Sequence, residues 1–109
     1  MEAKIVDYRQ VTPKEAWPGI LRRTVTWGDQ LMLLYNTFAA GVAMPEHQHP
    51  EEQITYVLTG RLHLMVGGQA MELSAGQSLL LPADLPHSLT TDEHTVVLDI
   101  FAPPREAFK

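Results

Sequence analysis

The sequence predicts an all-β protein, one small domain whose short strands close into a sandwich or a small barrel. Three observations carry that expectation. Short apolar runs recur along the chain, most of them bounded by a glycine- or proline-bearing turn. No run keeps a helical period, apart from a possible final turn in "PPREAF". At 109 residues, 45% hydrophobic and 19% charged, the chain can bury one modest core and has no room for a second folded unit. The expected domain therefore spans residues 1–109, without repeat, linker or low-complexity segment.

Taken in order, the N-terminal "MEAKIVDYRQ" has no basic start followed by an apolar run, so no signal peptide is expected. Thr12, Pro13 and Glu15 in "TPKEAWPG" have the pattern of a capped single helical turn, which Pro18-Gly19 would stop. Strands are then expected in "ILRRTVTW" from Ile20, "LMLLYNTFAA" from Leu31, "QITYVLT" from Gln53 and "RLHLMV" from Arg61. Further strands follow in "AMELS" from Ala70, "SLLLP" from Ser78 and "TVVLDIF" from Thr95. Gly67-Gly68 between two alternating runs is a hairpin signal.

Composition removes several function classes. A net charge of −5 repels a phosphate backbone, so no nucleic-acid partner is expected. The absence of cysteine excludes disulfides, thiolate metal sites and thiol nucleophiles. No window has the length needed to cross a bilayer. A cytoplasmic location, away from membranes, is the default expectation.

Two stretches carry chemistry. In "HQHPEEQ", His47 and His49 are two apart, and on an extended strand they present their rings to one side, a natural start for a metal site. Such pairs also arise by chance, and an exposed strand histidine is the commoner outcome. In "TVVLDIFAPPREAF", Val97, Asp99 and Phe101 share one strand face while Val96, Leu98 and Ile100 share the other, so the strand is expected to be covered on both sides. An ionisable group there is expensive to desolvate unless it has partners or work to do. Asp99 is accordingly either a structural aspartate, paired to a backbone amide or to Arg22 or Arg23, or an acid–base group. Arg105, just after Pro103-Pro104, is either a solvated charge paired to Glu106 or a carboxylate grip.

The flanking spacings are more specific. Five residues separate Gly41 from His47, three separate His49 from Gln53, and six separate Gln53 from Gly60. Later, Gly76 is followed after five residues by Pro82, and "ADLPH" ends at His87. In these two segments, 41–60 and 76–91, the chain resembles a cupin. That family's first motif is Gly-x5-His-x-His-x3 or x4-Glu-x6-Gly, and its second is Gly-x5-Pro-x-Gly-x2-His-x3-Asn. Gln53 replaces the glutamate, Asp84 the second-motif glycine and Thr91 the asparagine. The resemblance implies a double-stranded β-helix, or jelly roll, with a divalent metal ion held by His47, His49, Gln53 and His87. Three imidazoles and a carbonyl oxygen suit Ni, Zn, Mn, Fe or Co. A neutral donor set leaves the ion its full charge, so it stays a strong Lewis acid. His63 and His94 fall outside both motifs and read as surface or packing residues.

"HQHPEEQITYVLTGRL" together with "VVLDIFAPPREAF" resembles, more narrowly, the small pectin-degradation cupins of the KdgF type. That resemblance implies ring opening of 4,5-unsaturated monouronates, released from pectin or alginate, to the 4-deoxy-5-keto acid. It also implies chemistry by Asp99, Phe101 and Arg105. Two rival readings are a non-catalytic sugar- or metal-binding cupin and a metal-dependent dioxygenase. Finally, "LMLLYNTF" has more apolar side chains than one small barrel needs inside, which points to a homodimer.

Overall fold

The computed structural model describes residues 2–109 as ten strands in two antiparallel sheets, with a single 3₁₀ turn near each end, Tyr8–Gln10 and Glu106–Phe108. The strands are β1 (Lys14–Trp17), β2 (Ile20–Trp27), β3 (Met32–Phe38), β4 (Ala43–His47), β5 (Glu52–Thr59), β6 (Arg61–Val66), β7 (Gln69–Ser74), β8 (Ser78–Leu81), β9 (His87–Thr90) and β10 (Thr95–Ala102). One sheet runs β1-β2-β3-β10-β5-β8 and the other β4-β9-β6-β7. In both, the chain returns late to insert between early strands, as in a jelly roll. Every strand expected from the sequence is present within a residue or two of its predicted start.

Three strands were not legible. "TPKEAWPG" forms edge strand β1 rather than a helical turn, pairing Lys14 with Arg22 and Trp17 with Ile20. The Trp17 indole donates to the Ala43 carbonyl at 3.1 Å, holding this strand across the barrel mouth. β4 contains Pro45 and a register shift between Met44 and His47, a combination that only an edge strand tolerates. β9, "HSLT", is short and polar.

Glycines shape two turns. Gly67 and Gly68, at φ 54° and 81°, make the two-residue connection of the β6–β7 hairpin, where both central residues need the left-handed region. Gly60 has φ 85°, and a Cβ there would lie 2.5 Å from the His94 carbonyl oxygen, so only glycine fits.

The interior is apolar at both ends and polar between them. One cluster gathers Ile20, Phe38, Val57, Leu62, Leu64, Leu81 and Val97; a second joins Met32, Leu34 and Phe101, with Phe108 against it. Val57 and Val97 are fully buried, each worth about 1.5–3 kcal/mol of burial. On β3, β10 and β5 the inward positions between the clusters are Asn36, Asp99, and Gln53 with Thr55, all buried. A polar layer inside a core costs stability unless its members satisfy one another. It marks where the site lies.

The outer face of the larger sheet is also apolar. Ile54, Tyr56 and Leu58 on β5 and Leu80 on β8 are exposed, while Leu98, Ile100, Leu33 and Tyr35 beside them are half-buried. The expected cover on both faces of β10 is thus complete on its inner side and partial on its outer one within a single chain.

Candidate metal centre and active site

The histidines are brought together by pairing and by a loop. His47 ends β4 directly opposite His87, which begins β9, and their ring centres are 4.3 Å apart. The strand stops at His47, so His49 is not its same-face neighbour, as alternation implied; it lies in the loop before β5. Its ring nevertheless turns inward, 5% exposed, 6.3 Å from His47 and 5.2 Å from His87. The Asp84 amide donates to the His49 carbonyl at 2.8 Å and so ties the two motif segments together. Asp84 has φ 63°, a left-handed conformation that aspartate tolerates better than most residues, so the departure from glycine is accommodated. Thr91, the second departure, is buried; its hydroxyl donates to the Ala39 carbonyl at 2.7 Å and accepts from the Val42 amide at 3.1 Å.

Each of the three rings is pinned at the same nitrogen. Nδ1 of His47 donates to the Pro45 carbonyl at 2.9 Å, that of His49 to Glu51 at 2.9 Å, and that of His87 to Leu85 at 2.8 Å. A carbonyl can only accept, so each neutral ring carries its proton on Nδ1 and leaves Nε2 as a lone pair, the outer-shell arrangement that orients metal-binding histidines. Burial pushes the His87 imidazole below its ordinary pKa, and repulsion from His47, His49 and Arg105 adds to this against a bond to Leu85, which favours the ligating neutral form.

Nε2 of His49 lies 3.0 Å from Oε1 of Gln53. With Nδ1 protonated, two lone pairs face each other there with no hydrogen between them. A cation between these atoms would resolve the mismatch, so the donor set fits a divalent ion. Among the described residues no three histidine, cysteine or carboxylate side chains are drawn close enough to form a closed cage. The fourth donor is an amide, and the rings stand slightly apart.

The other end of Gln53 faces the acid. Its Nε2 donates to Asp99 Oδ1 at 3.0 Å and to Thr55 Oγ1 at 2.9 Å; the Thr55 hydroxyl donates to the same Asp99 oxygen, and Asn36 Nδ2 donates to Asp99 Oδ2 at 2.7 Å. Gln53 is therefore a bridge, oxygen toward the histidines and hydrogens toward the carboxylate. A glutamate could not fill both roles, since it would set one carboxylate against another. Burial pushes the Asp99 carboxyl above its ordinary range, against the lowering pull of its bonds from Thr55, Asn36 and Gln53 and of His49. Asp99 is thus paired to neutral groups rather than to Arg22 or Arg23; Arg23 donates to the Val11 carbonyl.

His47, Gln53, His87, Asp99, Phe101 and Arg105 line one cavity, and His49 backs it, with its ring 5.5 Å from Phe101. Arg105 pairs with Glu51, Nε to Oε1 at 3.5 Å, rather than with Glu106, which holds Lys109. Its guanidinium carbon sits 5.3 Å from the Phe101 ring centre and 4.1 Å from that of Phe108. His63, near Glu72 and Asp92, and His94 stay outside the cavity, as expected.

Sequence reasoning missed Asn36, Thr55, Glu51, Arg22 and Phe108. Asn36 carried a usable signal: in "LMLLYNTF" it is a polar residue at an inward position of an apolar strand, the same anomaly that singled out Asp99.

Comparison with known proteins agrees with this fold. Residues 34–101 match the family model for a cupin domain. The chain is 31% identical over 97 residues to the pectin degradation protein KdgF of Dickeya dadantii (strain 3937), covering 87% of this chain and 88% of that protein. The structure of KdgF from Halomonas sp. superposes with a TM-score of 0.91 at 25% identity, over 99% of this chain and 100% of the other. A RmlC-like cupin from Shewanella frigidimarina NCIMB 400 gives 0.91 at 26% identity, over 99% of this chain and 97% of that one.

Proposed function

This chain belongs to the cupin family, and from that premise we propose that it is a metal-dependent enzyme of pectin or alginate breakdown that opens 4,5-unsaturated monouronates to 4-deoxy-5-keto uronates. The observation that carries the reading is the Gln53 bridge, which joins a neutral donor set to a buried carboxyl inside one cavity. Likeness to KdgF supports the substrate class, because that relative is named for pectin degradation.

His47, His49, Gln53 and His87 would hold the cation, which supplies Lewis-acid stabilisation of negative charge on a substrate oxygen. The substrate is a cyclic hemiacetal whose ring oxygen is attached to the C4=C5 double bond. Asp99 takes the proton of the anomeric hydroxyl; the bond from C1 to the ring oxygen breaks, leaving an aldehyde at C1 and an enolate across C4, C5 and that oxygen. Asp99 then delivers the proton to C4, and C5 becomes the ketone. Protons balance, and no oxidant is consumed. A carboxyl held above its ordinary range is suited to both directions of transfer. Arg105 holds the uronate carboxylate, and Phe101 packs beside the sugar ring.

The test is to incubate metal-loaded protein with lyase-generated unsaturated uronate and follow loss of the conjugated C=C absorbance. Decay no faster than in buffer defeats the assignment. Oxygen uptake with ferrous iron would favour the dioxygenase reading instead.

The apolar outer face of the larger sheet supports a homodimer as the working form. Its exposed residues form one contiguous row across β5 and β8, continued by half-buried ones on β10 and β3. Among the described residues no helix is long and apolar enough to cross a membrane. A cytoplasmic site of action fits a monomeric sugar-acid substrate.

A further inference from the structure

One member of the polar layer has an atom that the reaction leaves idle. Asn36 is 7% exposed; its Nδ2 is engaged by Asp99, but its Oδ1 is buried with no hydrogen-bond partner among the described residues. Native proteins rarely keep such an oxygen without a donor, because burial strips its water and nothing replaces it. A ligand in the cavity that Asn36 lines can supply the missing hydrogen.

The residue directly across the ladder from Asn36 is Arg22 on β2, and it lines the same cavity. Arg22 is half-buried and makes no ion pair or hydrogen bond among the described residues. Its guanidinium carbon lies 4.0 Å from the centre of the Phe108 ring, beside which Arg105 also sits at 4.1 Å. A guanidinium stacked on a ring keeps its edge N–H groups free for an oxyanion. Glu51 pairs with Arg105 at 3.5 Å, whereas Arg22 has no carboxylate within ion-pair distance among the described residues. An anionic ligand between the two guanidiniums would give Arg22 the partner it lacks.

We infer that Arg22 and Asn36 form a substrate-recognition pair: Arg22 joins Arg105 on the ligand's carboxylate, and Asn36 Oδ1 accepts a hydrogen bond from a ring hydroxyl. The site thereby selects hydroxylated ring carboxylates over neutral sugars and over plain carboxylates. The identity of the ligand class rests on the uronate reading above, but the pair is tested by binding rather than by turnover.

The probe is D-galacturonate, a saturated uronate with no C=C bond to react, titrated calorimetrically into metal-loaded protein alongside D-galactose and the 2-deoxy and 3-deoxy acids. Asn36→Leu is expected to weaken galacturonate binding about tenfold. One deoxy acid should lose as much on the wild-type protein and lose nothing further on the variant. Arg22→Met should weaken galacturonate about tenfold and narrow its preference over galactose, and this arm stands if Asn36→Leu fails to fold. The inference is overturned if wild-type protein binds galacturonate no better than galactose. It is equally overturned if Arg22→Met, or a folded Asn36→Leu, binds within twofold of wild type, or if the variant and both deoxy losses add. Absence of turnover of the unsaturated acid would sink the enzymatic reading while leaving these binding ratios to decide the pair.

Discussion

Asp99→Asn is the most informative single change. It removes the only carboxylate that lines the cavity among the described residues and alters almost nothing in shape. The wild-type group accepts three hydrogen bonds, from Gln53 Nε2, the Thr55 hydroxyl and Asn36 Nδ2. An amide there brings one oxygen and one donor, so it can keep the bonds to Gln53 and Thr55 but meets the Asn36 amide hydrogens head-on. Rotation of the Asn36 amide by half a turn cures the clash, because its Oδ1 has no partner to lose. The cost is at most about 1–3 kcal/mol for one displaced donor, well inside a typical margin of about 5–15 kcal/mol. Loss of a charged form that burial disfavours offsets part of it. In the wild type, a carboxyl held above its ordinary 3.8 lends stability that is complete in acid and lost as pH rises through its folded value; the amide has no such loss. The variant should therefore fold, keep its metal and lose turnover by about 10²–10⁴-fold, or roughly 3–5 kcal/mol of barrier. Single-turnover decay of the unsaturated uronate, with elemental analysis of the same samples, reads both quantities. Turnover within tenfold of wild type at equal metal content would refute the assignment of Asp99 as the proton carrier.

Other consequences follow from the same layer. Gln53→Glu should hold the metal at least as tightly by equilibrium dialysis, yet lose turnover at least about tenfold, because it halves the ion's effective charge and sets a second carboxylate against Asp99. In metal-free protein, the His87 pKa lies below its ordinary 6.5, so its contribution to stability is complete above that pH and lost as pH falls through the folded value; thermal melts in chelator should show a fall in acid that His87→Gln flattens. Light scattering should give twice the 12.2 kDa of one chain, and Tyr56→Lys with Leu80→Lys should give monomer of unchanged turnover per chain.

How much of this was legible in the sequence depended on the kind of signal. A strand with clean alternation, such as "RLHLMV", declared itself, because its inward Leu62, Leu64 and Val66 belong to the main cluster. β4 and β9 did not, although they hold the facing pair His47 and His87: a proline, a bulge and polar side chains erase the period there, and pairing with neighbouring strands rather than local preference makes them strands. The histidines were found by spacing; the reason His49 joins them, a loop bond from Asp84, is a contact between distant segments that no spacing encodes. Asp99 was found as a charge in an apolar strand. Its partners, offered there as a backbone amide or Arg22 or Arg23, are instead the neutral donors Asn36, Gln53 and Thr55, which come from two other strands whose register the sequence does not print.

The central claim is that His47, His49 and His87, pinned at Nδ1, offer Nε2 to a cation that Gln53 completes with its oxygen. A crystal grown with nickel, zinc or manganese and measured at that metal's absorption edge tests it most directly. The account predicts one anomalous peak about 2.0–2.3 Å from the three Nε2 atoms and Oε1 of Gln53, with every Nδ1 still bonded to its backbone carbonyl. An empty cavity under saturating metal, or a peak bound through Nδ1 with those carbonyl bonds broken, would contradict it.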